Sequence, residues 1–186
     1  SGHDPRDPAS ARAKVTDFTI DLDKGVKGLK IGLVRHFYDN DLKAQAEMAA
    51  SIDAAAETLR KLGATVEEMA MSPLSEYAAV NRVILLSEAF AIHEKWLQER
   101  PEDYAHFTRE RLMPGAFIRA TQYVQAMRHR EKMKHAFESI MRTYDCVLTA
   151  SSMQVACQID DEPEVERTYS RQSRTPFNVI GNPALV

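Results

Sequence analysis

The chain has 186 residues, of which 44% are hydrophobic and 27% charged, and its formal net charge is -3 at pH 7. These are ordinary values for a globular protein, and the length suits one domain with a sizeable core or part of a larger domain. The slight negative charge excludes a general attraction to nucleic acid or to anionic membranes.

The cysteine content and the hydrophobic pattern indicate the cellular compartment. Cys146 and Cys157 form no spaced framework of the secreted or zinc-ribbon kind, so we expect both to be small buried side chains. No apolar run approaches the ~20 residues that cross a bilayer. The first ten residues lack the pattern of a signal peptide. We therefore expect a cytoplasmic protein.

A strand, a helix and a second strand are predicted between residues 29 and 69. Residues 30–35 form a short apolar run that is typical of a buried strand. The polar residues 39–41 are expected to cap a helix that has one apolar face and ends at Gly63. Residues 64–69 then return as a strand, so the unit is a right-handed crossover with two parallel strands. This unit predicts the α/β fold class.

Helices are predicted to dominate residues 73–142. The first extends from residue 73 to about residue 97, and its middle is apolar all round, which favours burial on more than one side. Pro101 begins a short helix, and Pro114 with Gly115 breaks it. A long amphipathic helix is then predicted from residue 116 to about residue 142. Its basic outer face is interpreted as a solvated surface.

The last part of the chain begins with a strand at residues 144–150 that is apolar enough to be central in a sheet. The acidic run 160–164 is predicted as an exposed loop, and residues 175–186 as a core segment. We therefore interpret the chain as one incomplete domain. Its parts are an extended arm (1–28), a strand–helix–strand unit (29–70), a helical region (73–142) and a strand, loop and core segment (144–186).

Most familiar catalytic motifs are absent from the sequence. It contains no dinucleotide-binding or phosphate-binding glycine loop, no G-x-S-x-G and no H-E-x-x-H. Ser151 and Ser152 follow a predicted strand, where α/β sheets often hold ligands. A serine nucleophile needs an activating base, however, and no Lys or His lies near them in sequence. We expect no metal and no cofactor.

Eight short segments are informative through their order: GHDPRDPAS (2–10), GVKGLKIGLV (25–34), LRKLGATVEEM (59–69), SEA (87–89), ERLMPGA (110–116), Tyr123-x-x-Ala126-x-x-x-Arg130, YDCVLTAS (144–151) and TPFNVIGNPAL (175–185). Together they resemble the latter part of the amidase signature enzymes, the Ser-Ser-Lys amidohydrolases. The resemblance implies a helix-rich part of an α/β/α sandwich with a mixed central sheet. It also implies hydrolysis of a small carboxamide or ureide through an acyl-serine intermediate.

The resemblance implies that the catalytic serines and lysine lie in a Gly/Ser-rich segment, and these 186 residues contain no such stretch. We therefore assign no catalytic residue and expect a fragment that is inactive alone. Two alternatives stay open. One is a non-catalytic binding or scaffold domain of amidase-like fold, and the other is the A subunit of a tRNA-dependent glutamine amidotransferase.

The resemblance also implies which residues line the substrate pocket: Met113, Phe117, Ser151 and Phe177. Core packing is an equally good interpretation of the aromatic residues. Two other residues that match the family, Glu88 and Arg130, are expected to make framework ion pairs or hydrogen bonds.

The sequence departs from the family in two places. Ala150-Ser151 replaces a common Pro-Thr after the strand, and Arg171–Arg174 replaces an acidic residue that would hold the amino group of glutamine. The second departure disfavours glutamine as substrate. The expected partner is a small amide in the parent enzyme, with no nucleic acid and no membrane, and a homodimer is left open.

Overall fold

The computed structural model describes residues 2–185. The strands are β1 (Lys30–Leu33), β2 (Thr65–Glu68) and β3 (Cys146–Leu148). The α-helices are α1 (Ala46–Lys61), α2 (Leu74–Glu99), α3 (His106–Leu112), α4 (Ala120–Ile140), α5 (Glu162–Tyr169) and α6 (Thr175–Ile180). None of these helices is both long and apolar enough to span a lipid bilayer.

The three strands form a parallel sheet in the order β2-β1-β3, in which Ile31 pairs with Val66 on one side and with Cys146 on the other. The parallel β1–α1–β2 unit is therefore confirmed, and so is the α/β class. β1 is the central strand, and Ile31 and Leu33 are buried. Among the described strands β3 lies at an edge, so its predicted central position is wrong for this part of the chain.

The start of α1 differs from the prediction. Residues 39–41 do not cap it, because Phe37–Asp41 forms one turn of π-helix and α1 begins at Ala46. Phe37 and the adjacent Tyr38 are both buried, so this turn packs against the core. Asp41 instead accepts a hydrogen bond from the backbone N–H of Leu74 at 2.7 Å, the first residue of α2. The predicted end at Gly63 is confirmed, with φ of +95°.

The main core lies where α2 meets α4 and α6. Leu74, Tyr77 and Val80 of α2 are buried there together with Phe137 of α4. Farther along α2 the side chains of Leu85, Ile92 and Trp96 are exposed. The predicted burial of α2 on more than one side is therefore wrong for the described residues, because their helices pack along one side of it.

Two further boundaries differ in the second half of the chain. α4 begins at Ala120, because Met113–Phe117 forms a separate 3-10 helix. The acidic run is not a loop from Glu162 onward, because Asp161 caps α5 by accepting a hydrogen bond from the backbone N–H of Glu164 at 3.2 Å. Acidic residues in the first turn of a helix stabilise it through a favourable interaction with the helix dipole. The predicted core segment is only partly correct, because Pro176, Val179 and Ile180 of α6 are buried whereas residues 181–185 are exposed.

Candidate functional site

The carboxyl edge of the sheet holds the loop that follows β3. Parallel strands often present ligand-binding loops at this edge. Thr149 donates its hydroxyl to the backbone oxygen of Val34 at 3.0 Å, which ties the end of β3 to the end of β1. Ala150 and Met153 are fully buried beside Tyr38. The path of the loop is therefore set by the strands and by this small apolar cluster.

The loop after β3 pairs with the segment that leads into α6. The Ser173 hydroxyl donates to the backbone oxygen of Ala150, and the Ser173 N–H donates to the backbone oxygen of Ser151 at 3.1 Å. The Met153 N–H donates to the backbone oxygen of Arg171 at 3.2 Å. Ser151 thus lies against the chain only a few residues before Phe177, and the structure brings these two predicted pocket residues to neighbouring segments.

Phe177 contacts the core. Its ring packs edge-on against Phe137 of α4, with ring centroids 6.5 Å apart, and it lies at the border of the main core while remaining partly exposed. Such an aromatic side chain can support the core with one edge and present the other outward. Its role in lining a pocket stays a prediction.

Met113 and Phe117 lie on the 3-10 helix between α3 and α4, and the side chain of Phe117 is 81% exposed. This helix is held by Gly115, which is buried where a β-carbon would collide with the backbone oxygen of Leu86 and with Phe90 of α2. Glycine is therefore required for this close approach. The 3-10 helix presents both predicted pocket residues outward, and their role also stays a prediction.

The two pairs of predicted pocket residues are attached to different parts of α2. The core cluster that contains Val179 and Ile180 of α6 includes Val80, whereas the 3-10 helix is seated at Leu86 and Phe90. At a rise of ~1.5 Å per residue, Val80 lies ~9 Å from Leu86 and ~15 Å from Phe90 along the helix axis. The structure therefore joins Ser151 to the α6 segment and holds the Met113 segment farther along the same helix.

Glu88 and Arg130 are confirmed as framework residues. Glu88 accepts a hydrogen bond from the Tyr123 hydroxyl at 2.9 Å, which raises the pKa of Tyr123 because the phenol donates to a carboxylate. Arg130 Nε donates to the backbone oxygen of Val179 at 2.6 Å. The first contact joins α2 to α4 and the second joins α4 to α6.

An arginine network at the end of β1 was not predicted from the sequence. Arg35 Nη2 lies 2.5 Å from an oxygen of Asp53, and Arg35 Nε lies 2.7 Å from an oxygen of Glu68. The hydrogen bond to Asp53 is the main cause of a raised Arg35 pKa. The network borders an open cleft of about 370 Å³. Because Arg35 pairs with carboxylates of α1 and β2, we interpret it as a residue that joins the sheet to α1.

A second unpredicted group lies near the loop after β3, where the side chains of Gln154, Arg167 and Arg171 meet. Arg167 lies on α5 and Arg171 follows the end of that helix, and their contact with Gln154 depends on long-range folding. Among residues 2–185, no three His, Cys, Asp or Glu side chains are placed to hold a metal ion.

The comparisons with known proteins identify the class. The profile of the Amidase family matches residues 1–186, and the chain belongs to this family. It is 32% identical to an amidase of Pseudomonas putida over 148 residues, which cover 80% of the chain and 31% of that protein. It is 30% identical to the A subunit of the glutamyl-tRNA(Gln) amidotransferase of Alkaliphilus metalliredigens over 211 residues, which cover 99% of the chain and 43% of that protein. The chain thus spans less than half the length of the curated relatives it matches.

Solved structures agree with this assignment. A chain of a vestigial protein complex that reveals the evolutionary origins of an s-triazine catabolic enzyme superposes with a TM-score of 0.75 and 25% identity, covering 87% of this chain and 34% of that one. A bacterial aryl acylamidase of the amidase signature family superposes with a TM-score of 0.71 and 23% identity, covering 97% of this chain and 40% of that one. The predicted family and its α/β fold are both confirmed.

Proposed function

We propose that these residues form the latter part of an amidase catalytic domain. The parent enzyme would hydrolyse a small carboxamide or ureide through an acyl-serine intermediate, on a serine outside residues 1–186. Three observations support this: the family match over the whole chain, the share of each relative that it covers, and a sequence without the Gly/Ser-rich segment. The domain would be incomplete, with residues 1–28 as an arm before the strand–helix–strand unit.

In this reaction the described residues position the substrate. A serine oxygen attacks the amide carbon, the C–N bond breaks as the amine leaves with a proton, and water then releases the acid from the serine. Residues at the carboxyl edge of the sheet would hold the amide against that serine. The observation that carries this role is the pairing of the Ser151 loop with the segment before α6, because it sets both at this edge.

The first experiment measures intact mass, N-terminal sequence and ammonia release from primary amides and ureides. We expect turnover by a longer protein that carries a Gly/Ser-rich segment, and none by residues 1–186 alone. Turnover by residues 1–186 alone would contradict the placement of the nucleophile. A longer protein that carries the segment but lacks turnover on the whole panel would contradict the substrate class.

A matched pair of phenylalanines tests the predicted pocket. Phe117 and Phe18 are almost equally exposed, at 81% and 80%. In the active protein, Phe117→Ala should raise KM severalfold because it removes apolar contact with the substrate, whereas Phe18→Ala should leave KM unchanged. Equal effects of the two substitutions on KM would show that Phe117 does not line the pocket.

A non-catalytic binding domain is the second candidate, favoured by the exposed apolar side chains of Leu85, Ile92 and Trp96 on α2. Such a domain should be monomeric and unfold cooperatively without a ligand, whereas part of a larger domain should self-associate. Sedimentation velocity and urea unfolding of residues 1–186 distinguish the two, and sedimentation of the longer protein tests a homodimer.

An amidotransferase A subunit is the weaker candidate, favoured by relatives of that name. In the segment before α6, Arg171 donates to the backbone oxygen of Lys43 at 2.6 Å and Ser173 is fully buried. These side chains offer no carboxylate to an amino group. Release of ammonia from glutamine by the complete protein, stimulated by a second protein of the complex, would favour this candidate over a general amidase.

A further inference from the structure

Two guanidinium groups converge on one neutral oxygen near the loop after β3. The side chain of Gln154 is only 7% exposed. With its amide oxygen turned toward the arginines, the orientation that satisfies both ends of the amide, it accepts from both Nη atoms of Arg167 at 3.1 Å and from Nε of Arg171 at 3.2 Å. Two cationic side chains thus share a single uncharged acceptor.

The charges around this oxygen are not balanced. Arg167 is paired with Glu164, with nitrogen–oxygen distances of 2.6 and 2.7 Å. Arg171 has hydrogen bonds to Gln154 and to the backbone oxygen of Lys43, and within residues 2–185 it forms no ion pair with a carboxylate. One positive charge therefore faces the loop without an opposite charge, in a chain whose net charge is -3.

A carboxylate satisfies this arrangement better than an amide oxygen does. Hydrogen bonds between a guanidinium and a carboxylate are about twice as strong as neutral ones, and the planar fork of arginine matches the two oxygens of a carboxylate. The amide oxygen of Gln154 marks a position at which donors from both arginines already meet. A bound carboxylate would take the place of the Gln154 amide oxygen, whose side chain must turn away, and it would then receive the same donors.

The arginine pair lies beside the predicted pocket. The backbone oxygen of Arg171 accepts the N–H of Met153, and Ser173, two residues later, bonds to Ser151. The guanidinium of Arg171 therefore belongs to the segment that borders the Ser151 loop at the carboxyl edge of the sheet.

We propose that Arg167 and Arg171 form a binding site for a carboxylate group, and that the substrate is a small amide that carries one. The assignment of this carboxylate to the substrate rests on the proposed function, whereas the binding of a carboxylate by the arginine pair does not. Exposed charge pairs weaken as salt rises, so binding should weaken with ionic strength.

Two probes of nearly equal shape test the site. Succinamate carries one amide and one carboxylate, and succinamide carries two amides. Calorimetric titration of the purified protein at low ionic strength should show succinamate binding at least tenfold more tightly than succinamide. Arg171→Gln should abolish this preference. Arg128→Gln is the matched control, because it removes an exposed arginine of α4 that lies in a different part of the fold.

The preference for succinamate must be present in the unchanged protein, lost in Arg171→Gln and kept in Arg128→Gln. Equal affinity for the two probes, no binding of either at millimolar concentration, or equal loss in both variants would overturn the proposal. If circular dichroism shows that Arg171→Gln is unfolded, Arg167→Gln replaces it with the same expected loss. The titration needs no turnover, so a longer protein that carries the Gly/Ser-rich segment and prefers succinamate without turnover on any amide would contradict the proposed function alone.

Discussion

Ser173 donates its hydroxyl to the backbone oxygen of Ala150, and both residues are fully buried. This contact attaches the segment before α6 to the end of β3. Ser173→Ala should lower the free energy of unfolding by about 1–3 kcal/mol, because it leaves a buried carbonyl oxygen without this donor. Urea unfolding measures the change, and the exposed Ser170→Ala is the control. A loss below 0.5 kcal/mol, on the order of an ordinary surface substitution, would contradict the importance of the contact.

The hydroxyl of Tyr38 is buried and has no hydrogen-bond partner among residues 2–185. Tyr38→Phe should therefore raise the free energy of unfolding by about 1 kcal/mol, because it removes a polar atom that loses water on folding. Tyr77→Phe is the matched control, since Ser72 lies beside the hydroxyl of Tyr77 and removal of this hydroxyl should destabilise the protein. A loss of stability in Tyr38→Phe would show that its hydroxyl has a partner in solution.

Burial raises the pKa of both Tyr38 and Tyr77 above the usual value of 10.0. A raised pKa means that the folded state holds the phenol proton more tightly than the unfolded state does. This stability is fully present below pH 10.0 and is lost as the pH rises through the higher folded values. Urea unfolding at pH 8 to 11 should show the decline. The double variant Tyr38→Phe/Tyr77→Phe should lose less stability over this range, and an unchanged slope would contradict the assignment.

Gly115 seats the 3-10 helix Met113–Phe117 against α2. Gly115→Ala should lower the free energy of unfolding by about 1–3 kcal/mol, because its β-carbon would meet the backbone of Leu86 and the helix must move away. Ala116→Ser at the next, exposed position is the control. Thermal unfolding measures both. If Gly115→Ala is as stable as the control, the close approach to α2 is not required.

Local periodicity predicted the sheet and most helices, because β1, α1, β2 and the end at Gly63 each depend on a few neighbouring residues. The start of α1 was wrong for a physical reason. Asp41 looks like a local cap, but its carboxylate binds the N–H of Leu74, 33 residues away. The apolar middle of α2 likewise predicted burial without indicating which neighbours would cover it.

The framework of the candidate site could be predicted in part. Order and spacing of segments identified the family and the framework roles of Glu88 and Arg130. The meeting of Gln154 with Arg167 and Arg171 could not be predicted, because it requires the loop after β3 to fold back on α5. Residues that are far apart in the sequence give no sign that they meet, even where their types, such as arginine, suggest a role in binding.

The attachment of α6 and of the 3-10 helix to one continuous helix, α2, makes that helix a spacer of fixed length. A one-residue insertion between Val80 and Leu86 would rotate the surface that Gly115 contacts by ~100° about the axis of α2 relative to Val80, so this spacing resists gradual change. If the pocket extends between these two attachments, side chains such as Met113 and Phe177 determine the length of substrate that fits, and their replacement changes it. Under that arrangement, divergence in specificity within the family would appear as changes in side-chain volume on a constant spacing.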